Sequence, residues 1–249
     1  MKLKNKVWSM AMMLLLPTIP VSSQQVLQGS LTMWDKGEAK IAFYDMITGD
    51  MTELGQVDEA GKLEIVLSEN YPAEVRAMAE EAQKNAPEGW KIRKNTVTSA
   101  FSCGSDELTV SNGEAEVMGL PELGLANSYG DPVYGVLMPA SNRQVADWLY
   151  SYGEKDPNPG YYVRWYYVEE TASVKGKCVV DYYTGHEEEF FTEEIVMDLD
   201  LTEGWNIIKT EISRVFTDQS GKIHPATFVH TRITELPADL QWFAMESAY

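Results

Sequence analysis

The chain has 249 residues, and its 38 acidic against 20 basic residues give a formal net charge of −18. A field of that sign repels nucleic-acid backbones and anionic lipid, which argues against a nucleic-acid partner. Hydrophobic residues make up 44% and the charge is dispersed, so the composition describes a solvated surface around a real core and excludes a disordered chain.

Lys2, Lys4 and Lys6 open the sequence, an apolar run from Val7 to Leu16 follows, Pro17 and Pro20 stop it, and Val21-Ser22-Ser23 supplies small residues before Gln24. That order predicts a cleavable secretory signal over residues 1–23. The apolar run is too short to span a bilayer, which needs about 20 residues, so no membrane span is expected in the mature chain. Cleavage would remove three lysines and no carboxylate, leaving the rest still more acidic. The expected location is the periplasm or the cell surface.

The mature chain divides into an N-terminal β-rich region with two helices, residues 24–155, and a C-terminal antiparallel β region, residues 156–249, which can also form one domain together. Leu27, Gly29, Leu31 and Met33 alternate with polar residues as on a half-buried strand. Asp35–Glu38 is a turn, Lys40–Tyr44 a second strand, and Thr48-Gly49-Asp50 another turn. Asp58-Glu59-Ala60-Gly61 leads into Lys62–Leu67, where Leu63, Ile65 and Leu67 share a face. Tyr71-Pro72 starts a helix to about Asn85 with a Val75, Met78, Ala79, Ala82 stripe. Residues 95–120 read as short strands and residues 121–132 as a loop. Ser141-x-x-Gln144 has the form of a capping box before the stripe Val145, Trp148, Leu149, Tyr152, with Gly153 as the stop. The segment Glu154–Gly160 is an exposed loop. Strands then run over Tyr161–Val168, Ala172–Tyr182, Ile195–Leu201, Trp205–Ile208 and Thr227–Thr234, and Pro237–Phe243 reads as a short terminal helix. The predicted fold is mostly β, sandwich-like, with two or three short helices.

The Gly29 strand, the Asp45-x-x-Thr48-Gly49 turn and the Asp58-x-x-Gly61-x-Leu63-x-Ile65 hairpin resemble the transthyretin-like modules of exported bacterial proteins, of which carboxypeptidase regulatory-like domains are an example. Trp165-Tyr166-Tyr167-Val168, Val174-Lys175-Gly176-Lys177-Cys178 and Leu199–Asn206 are similar to strands of uncharacterised exported proteins of Gram-negative bacteria. The first resemblance covers the opening strands and the second residues 160–212. Together they imply export and a β fold, and they imply no activity.

Motifs for chemistry are missing from the sequence. There is no His-Glu-x-x-His, paired Cys-x-x-Cys, Gly-x-Ser-x-Gly, phosphate-binding glycine loop or EF-hand spacing. No catalytic residue, metal site or cofactor is therefore predicted. His224 and His230 would share a strand face about 20 Å apart, too far to hold one metal; hydrogen-bonded histidines are the simpler reading. Cys103 and Cys178 either bridge, as an oxidising compartment allows, or stay as two buried thiols. The concentrated signal is aromatic. Tyr161, Tyr162, Trp165, Tyr166 and Tyr167 fall on one strand, with Tyr161, Val163, Trp165 and Tyr167 on one face and Tyr162, Arg164, Tyr166 and Val168 on the other. If the Val163 and Trp165 face is core, Tyr162, Arg164 and Tyr166 form a wetter face suited to stacking on a glycan or a protein partner; the competing reading buries both faces. The expected function is an exported, non-enzymatic binding or surface-assembly protein whose ligand is a glycan or a cell-surface protein. The alternative is a secreted hydrolase with an unidentified carboxylate pair.

Overall fold

A computed structural model describes residues 25–44, 51–103, 107–131, 134–186 and 188–246. The signal segment 1–23 and the Thr48–Asp50 turn lie outside them. The described chain is mostly β, as the alternating pattern predicts. Fourteen strands join in one continuous hydrogen-bonded sheet that folds over itself in a sandwich-like way, with three helices against it.

The first half of the sheet is built from β1 (Gln25–Ser30), β2 (Ala39–Tyr44), β3 (Met51–Val57) and β4 (Lys62–Leu67). The β3–β4 turn shows why Asp-x-x-Gly works there. Asp58 Oδ1 accepts from the backbone N–H of Ala60 (2.9 Å) and Lys62 (2.8 Å), while Gly61 takes the positive φ of 79° that a side chain would resist. Helix α1 (Tyr71–Asn85) follows with Pro72 in its first turn. Its stripe does face inward, but only Tyr71, Pro72 and Ala82 are fully buried.

Two local expectations are corrected between residues 95 and 132, and the cap and stripe of the next helix after them. Val97–Ala100 is one helical turn, α2, because Thr96 and Ser99 cap each other's backbone N–H groups. Beyond it, β5 (Leu108–Ser111) and β6 (Val117–Gly119) are strands as predicted. The expected loop contains β7 (Leu123–Ala126), since Leu123, Leu125 and Ala126 bury against β2 and β8 (Gly135–Ala140). Helix α3 (Arg143–Tyr150) is capped by Asn142, whose Oδ1 accepts from Val145 N (3.0 Å). Ser141 instead accepts from Tyr161 N (2.8 Å) and ties the helix to the next strand. Gly153 does stop the helix, donating to the Trp148 carbonyl (2.9 Å), but Tyr152 is exposed and leaves the stripe.

The second half comprises β9 (Gly160–Val168), β10 (Ala172–Tyr183), β11 (Phe190–Leu201), β12 (Gly204–Thr217), β13 (Ile223–Ile233) and β14 (Gln241–Met245). The order β9-β12-β13-β11-β10-β5 places β13 between β11 and β12, so β11 and β13 run parallel. Asn206, 1% exposed, holds the β11–β12 corner: it donates to the carbonyls of Thr202 (2.7 Å) and Gly204 (2.9 Å) and accepts from Arg232 Nε (2.8 Å). Those bonds satisfy a polar group that would otherwise be costly to bury. The expected terminal helix is instead β14, paired with β8 from Gln241↔Ala140 to Met245↔Val136. Trp242, Phe243 and Met245 are all buried, one in the main core and two under α3, and an apolar run buried on both faces has no strand-like alternation to read.

Three apolar clusters result. The largest lies between β1–β4, β7, β8, β9, β12 and β14 and holds Trp165 and Trp242; a second packs α2 against β6 and β9–β12, and a third packs α3 against β8, β9, β12 and β14. The bridge Leu31↔Trp242 returns β14 to β1, so the first cluster is walled on nearly every side.

Candidate functional site

Strand β9 passes between all three clusters. As predicted, Val163 and Trp165 point into the main core, and Trp165 stacks on Trp242 with centroids 5.7 Å apart. The opposite face departs from the expected wet platform. Tyr162 is only 8% exposed and belongs to the α3 cluster beside Trp148, and Tyr166 is half-buried against Phe101 at 5.2 Å. Arg164 is the exposed member of the three, standing in the gap between two clusters with its guanidinium 5.3 Å from the Tyr162 ring centre. The physical reason is that α2 and α3 each cover one end of that face. A cavity of about 70 Å³ beside Trp165, Trp242 and Arg164 is too small for a ligand larger than a few atoms.

Cys103 and Cys178 form a disulfide with Cα atoms 6.3 Å apart, tying the segment after α2 to the buried face of β10. The pairing fits an oxidising compartment. His224 and His230 both lie on β13. His224 Nε2 lies 2.9 Å from Asp218 Oδ2, and the histidine and Ser220 hold that carboxyl well below the usual carboxylate range. His230 Nδ1 meets Thr210 Oγ1 at 3.0 Å, and burial, with Arg164 nearby, lowers its pKa to about 4. Among the described residues no group of His, Cys, Asp and Glu is arranged to hold a metal.

A larger groove, one of several surface clefts of similar size among the described residues, lies elsewhere, on residues not expected from the sequence to form a site. Tyr71 anchors the first turn of α1: its hydroxyl donates to the Gly119 carbonyl (2.9 Å), its ring lies 5.0 Å from Trp205, and burial pushes its pKa up to about 12. Trp205 Nε1 in turn donates to the Ser68 carbonyl (3.0 Å). Past that anchor α1 stands away from β6, and residues 86–95 run back alongside it. Gln83 fixes the returning segment, donating from Nε2 to the Trp90 carbonyl and accepting at Oε1 from Ile92 N, both at 2.8 Å. A groove of about 540 Å³ is left between helix, segment and β6, within the range of ligand sites.

Val75, Ala79, Ile92, Val117 and Met118 supply the apolar lining of the groove. Four cations, Arg76, Lys84, Arg93 and Lys94, line it against two carboxylates, Glu80 and Glu116. Glu116 Oε2 accepts from both Arg76 (3.3 Å) and Lys94 (2.9 Å), and Arg76 also pairs with Glu169. Among the described residues Arg93 and the neighbouring Lys91 meet no carboxylate. Lys84 pairs with Glu81 (3.2 Å), so the positive charge on this wall that no carboxylate meets among the described residues is Arg93 with Lys91, in a chain of charge −18. Trp90 and Ile92, 70% and 43% exposed, add apolar surface to the same segment. The signal was present as Trp90-Lys91-Ile92-Arg93-Lys94, three of the chain's 20 cations within five residues.

Comparison with protein-family models, with curated proteins and with solved structures finds no match to this chain.

Proposed function

We propose that this is an exported, non-catalytic binding protein that holds an acidic, partly apolar segment of a partner protein in the groove between α1 and residues 86–95. The carrying observation is the apolar groove rimmed by an excess of cations in an otherwise strongly acidic chain. Apolar contact supplies affinity, while the cations on the groove wall favour an acidic partner. A protein fits better than a glycan. The platform expected to stack on sugar, Tyr162, Arg164 and Tyr166, has Tyr162 in the core and Tyr166 half covered, whereas the groove offers aliphatic surface and ion-pairing groups. The secreted-hydrolase alternative gains little from the groove, where Glu116 is engaged by two cations and Glu80 is the one other acid of the lining. Export rests on the Lys2–Ser23 signal pattern and is supported by the Cys103–Cys178 bridge; the similarity of residues 160–212 to exported proteins is in keeping with it.

The test is fluorescence anisotropy with synthetic peptides that alternate Phe with Glu, Gln or Lys. The Glu peptide should bind saturably and the Lys peptide should not. Arg93→Glu should weaken the Glu peptide about tenfold, equivalent to roughly 1.4 kcal/mol, with an unchanged Tm. Equal binding of all three peptides, or no effect of Arg93→Glu, would overturn the proposal.

A further inference from the structure

The β10–β11 hairpin continues past the three cores. Its last pairs, Val179↔Glu194 through Tyr183↔Phe190, lie beyond every buried cluster. A protruding hairpin of this kind would be expected to carry polar side chains. Instead Val179, Tyr182, Tyr183 and Phe190 are exposed, Phe190 at 60% and Tyr183 at 55%. The Tyr183 and Phe190 rings pair at 5.3 Å on one face. On the other, Tyr182 packs on Phe191 at 5.7 Å, and Phe191 continues onto Phe216 (5.4 Å) and His224 (4.9 Å) across β13 and β12. These contacts stiffen the tip, so that little conformational freedom remains to be lost on binding. The surroundings are acidic. Asp181 and Glu188 are exposed, and Glu189 is fixed at the turn by Thr184 Oγ1 (2.8 Å) and Gln219 N (3.1 Å).

The tip thus has the two properties that the groove selects, apolar rings and carboxylates, and it shares no residue with the groove. We propose that the occupant of the groove is the β10–β11 tip of a second copy of this chain. Tyr183 and Phe190 would seat on Val75, Ala79 and Ile92, with Asp181 and Glu188 toward Arg93 and Lys94. This inference rests on the groove being a binding site and names its partner. Two chains of charge −18 repel at long range, but Arg93 on the groove wall, with Lys91 beside it, offers the tip's carboxylates cations that meet no acid in their own chain among the described residues. At physiological salt, with a screening length of about 8 Å, contact-range complementarity decides. Because tip and groove are different surfaces, the contact is heterologous: each copy keeps one free tip and one free groove, and assembly grows as a chain or closes as a ring.

That asymmetry gives a specific test by sedimentation velocity at physiological salt. Wild-type protein without its signal segment should show mass rising with concentration. The groove variant Ile92→Asp/Arg93→Glu and the tip variant Tyr183→Ser/Phe190→Ser should each be monomeric and retain the wild-type Tm. Mixed in equal amounts they should form a species of two chains and grow no further, since only one intact tip and one intact groove meet. A wild type that stays monomeric at every concentration overturns the inference, as does a groove or tip variant that associates like the wild type, or a mixture that stays monomeric while the wild type assembles. If the Phe–Glu peptide still binds a monomeric wild type with Arg93 dependence, the groove remains a binding site and only the second copy is wrong as its partner.

Discussion

Gln83 holds Trp90 by its carbonyl and, through the other end of the same amide, the N–H of Ile92, so one side chain spaces residues 90–92 from helix α1. Both bonds satisfy backbone groups of a segment that has no strand partner of its own. Gln83 thus fixes the segment to α1, while the Asn95 carbonyl, accepting from Val117 N (2.9 Å), and the Lys94–Glu116 pair tie its far end toward β6.

Replacing Gln83 with Ala should release that wall and leave the fold. Each exposed bond contributes on the order of 1 kcal/mol or less, so the Tm should fall only slightly. Hydrogen exchange at the Ile92 amide should quicken markedly, and affinity for the Phe–Glu peptide should drop. Gln83→Glu keeps the acceptor for Ile92 and loses the donor to Trp90, which should give an intermediate exchange rate. Unchanged exchange at Ile92 in the Ala variant would show that something else holds the segment.

Strand β9 gives a graded series. Trp165→Ala should cost about 3–5 kcal/mol, as truncations of core aromatics do. Tyr162→Ala should approach it, because Tyr162 is as buried as the core and packs under α3 near Trp148. Arg164→Ala should stay within about 0.5 kcal/mol, since Arg164 is exposed and, among the described residues, its guanidinium has a ring contact but no ion pair. Urea denaturation of the three variants orders them. A Tyr162→Ala loss as small as that of Arg164→Ala would restore the stacking face expected from alternation alone.

What could be read from the sequence follows from which side chains had a single environment. The Asp58–Gly61 turn, the α1 start at Pro72 and the inward Val163 and Trp165 were legible because turn chemistry and period-two alternation act locally. β7 and β14 were not, because their apolar residues bury on both faces and give no alternation. The wet face of β9 misled for a related reason: an Arg between two tyrosines looks polar, yet α2 and α3, distant in sequence, cover the tyrosines and leave the Arg alone in the gap. Beyond the cationic run Trp90–Lys94 the groove could not be read from the sequence, because its shape depends on α1 being pinned at Tyr71 by Gly119 and Trp205, contacts that span from 48 to more than a hundred residues.

The disulfide should matter to stability and to nothing else yet proposed. Cys103 and Cys178 close a loop of 75 residues, for which the chain-entropy model gives about 4–5 kcal/mol as an upper figure. Thiol titration of the protein unfolded without reductant should find no free thiol. Cys103→Ser/Cys178→Ser should lower the urea midpoint clearly while leaving peptide binding at the groove intact, because neither sulfur lines it. Two titratable thiols in unreduced protein isolated from the cell envelope would rule the bridge out.

The half-buried His230 predicts an acid-sensitive step. His230 faces Thr210 at 3.0 Å, with Arg164 close enough to oppose a second positive charge, and its folded pKa is lowered to about 4 against about 6.5 unfolded. A depressed histidine pKa means that the unfolded chain takes up the proton first. Above pH 6.5 both states are neutral and the group has no effect on stability. As pH falls from 6.5 toward 4 the unfolded state is favoured progressively, by at most about 3 kcal/mol. Carboxylates lower on the scale, Asp218 among them, add their own loss in stronger acid, so the contribution of His230 is isolated by difference. Urea unfolding of wild type and His230→Gln at pH 7 and pH 4.5 should show the wild type losing more stability than the variant over that interval. Arg164→Gln, which removes the opposing charge, should recover part of the difference by letting His230 protonate at higher pH. Parallel losses in wild type and His230→Gln would mean that His230 titrates alike in both states, and that the β12–β13 face around it is open to water.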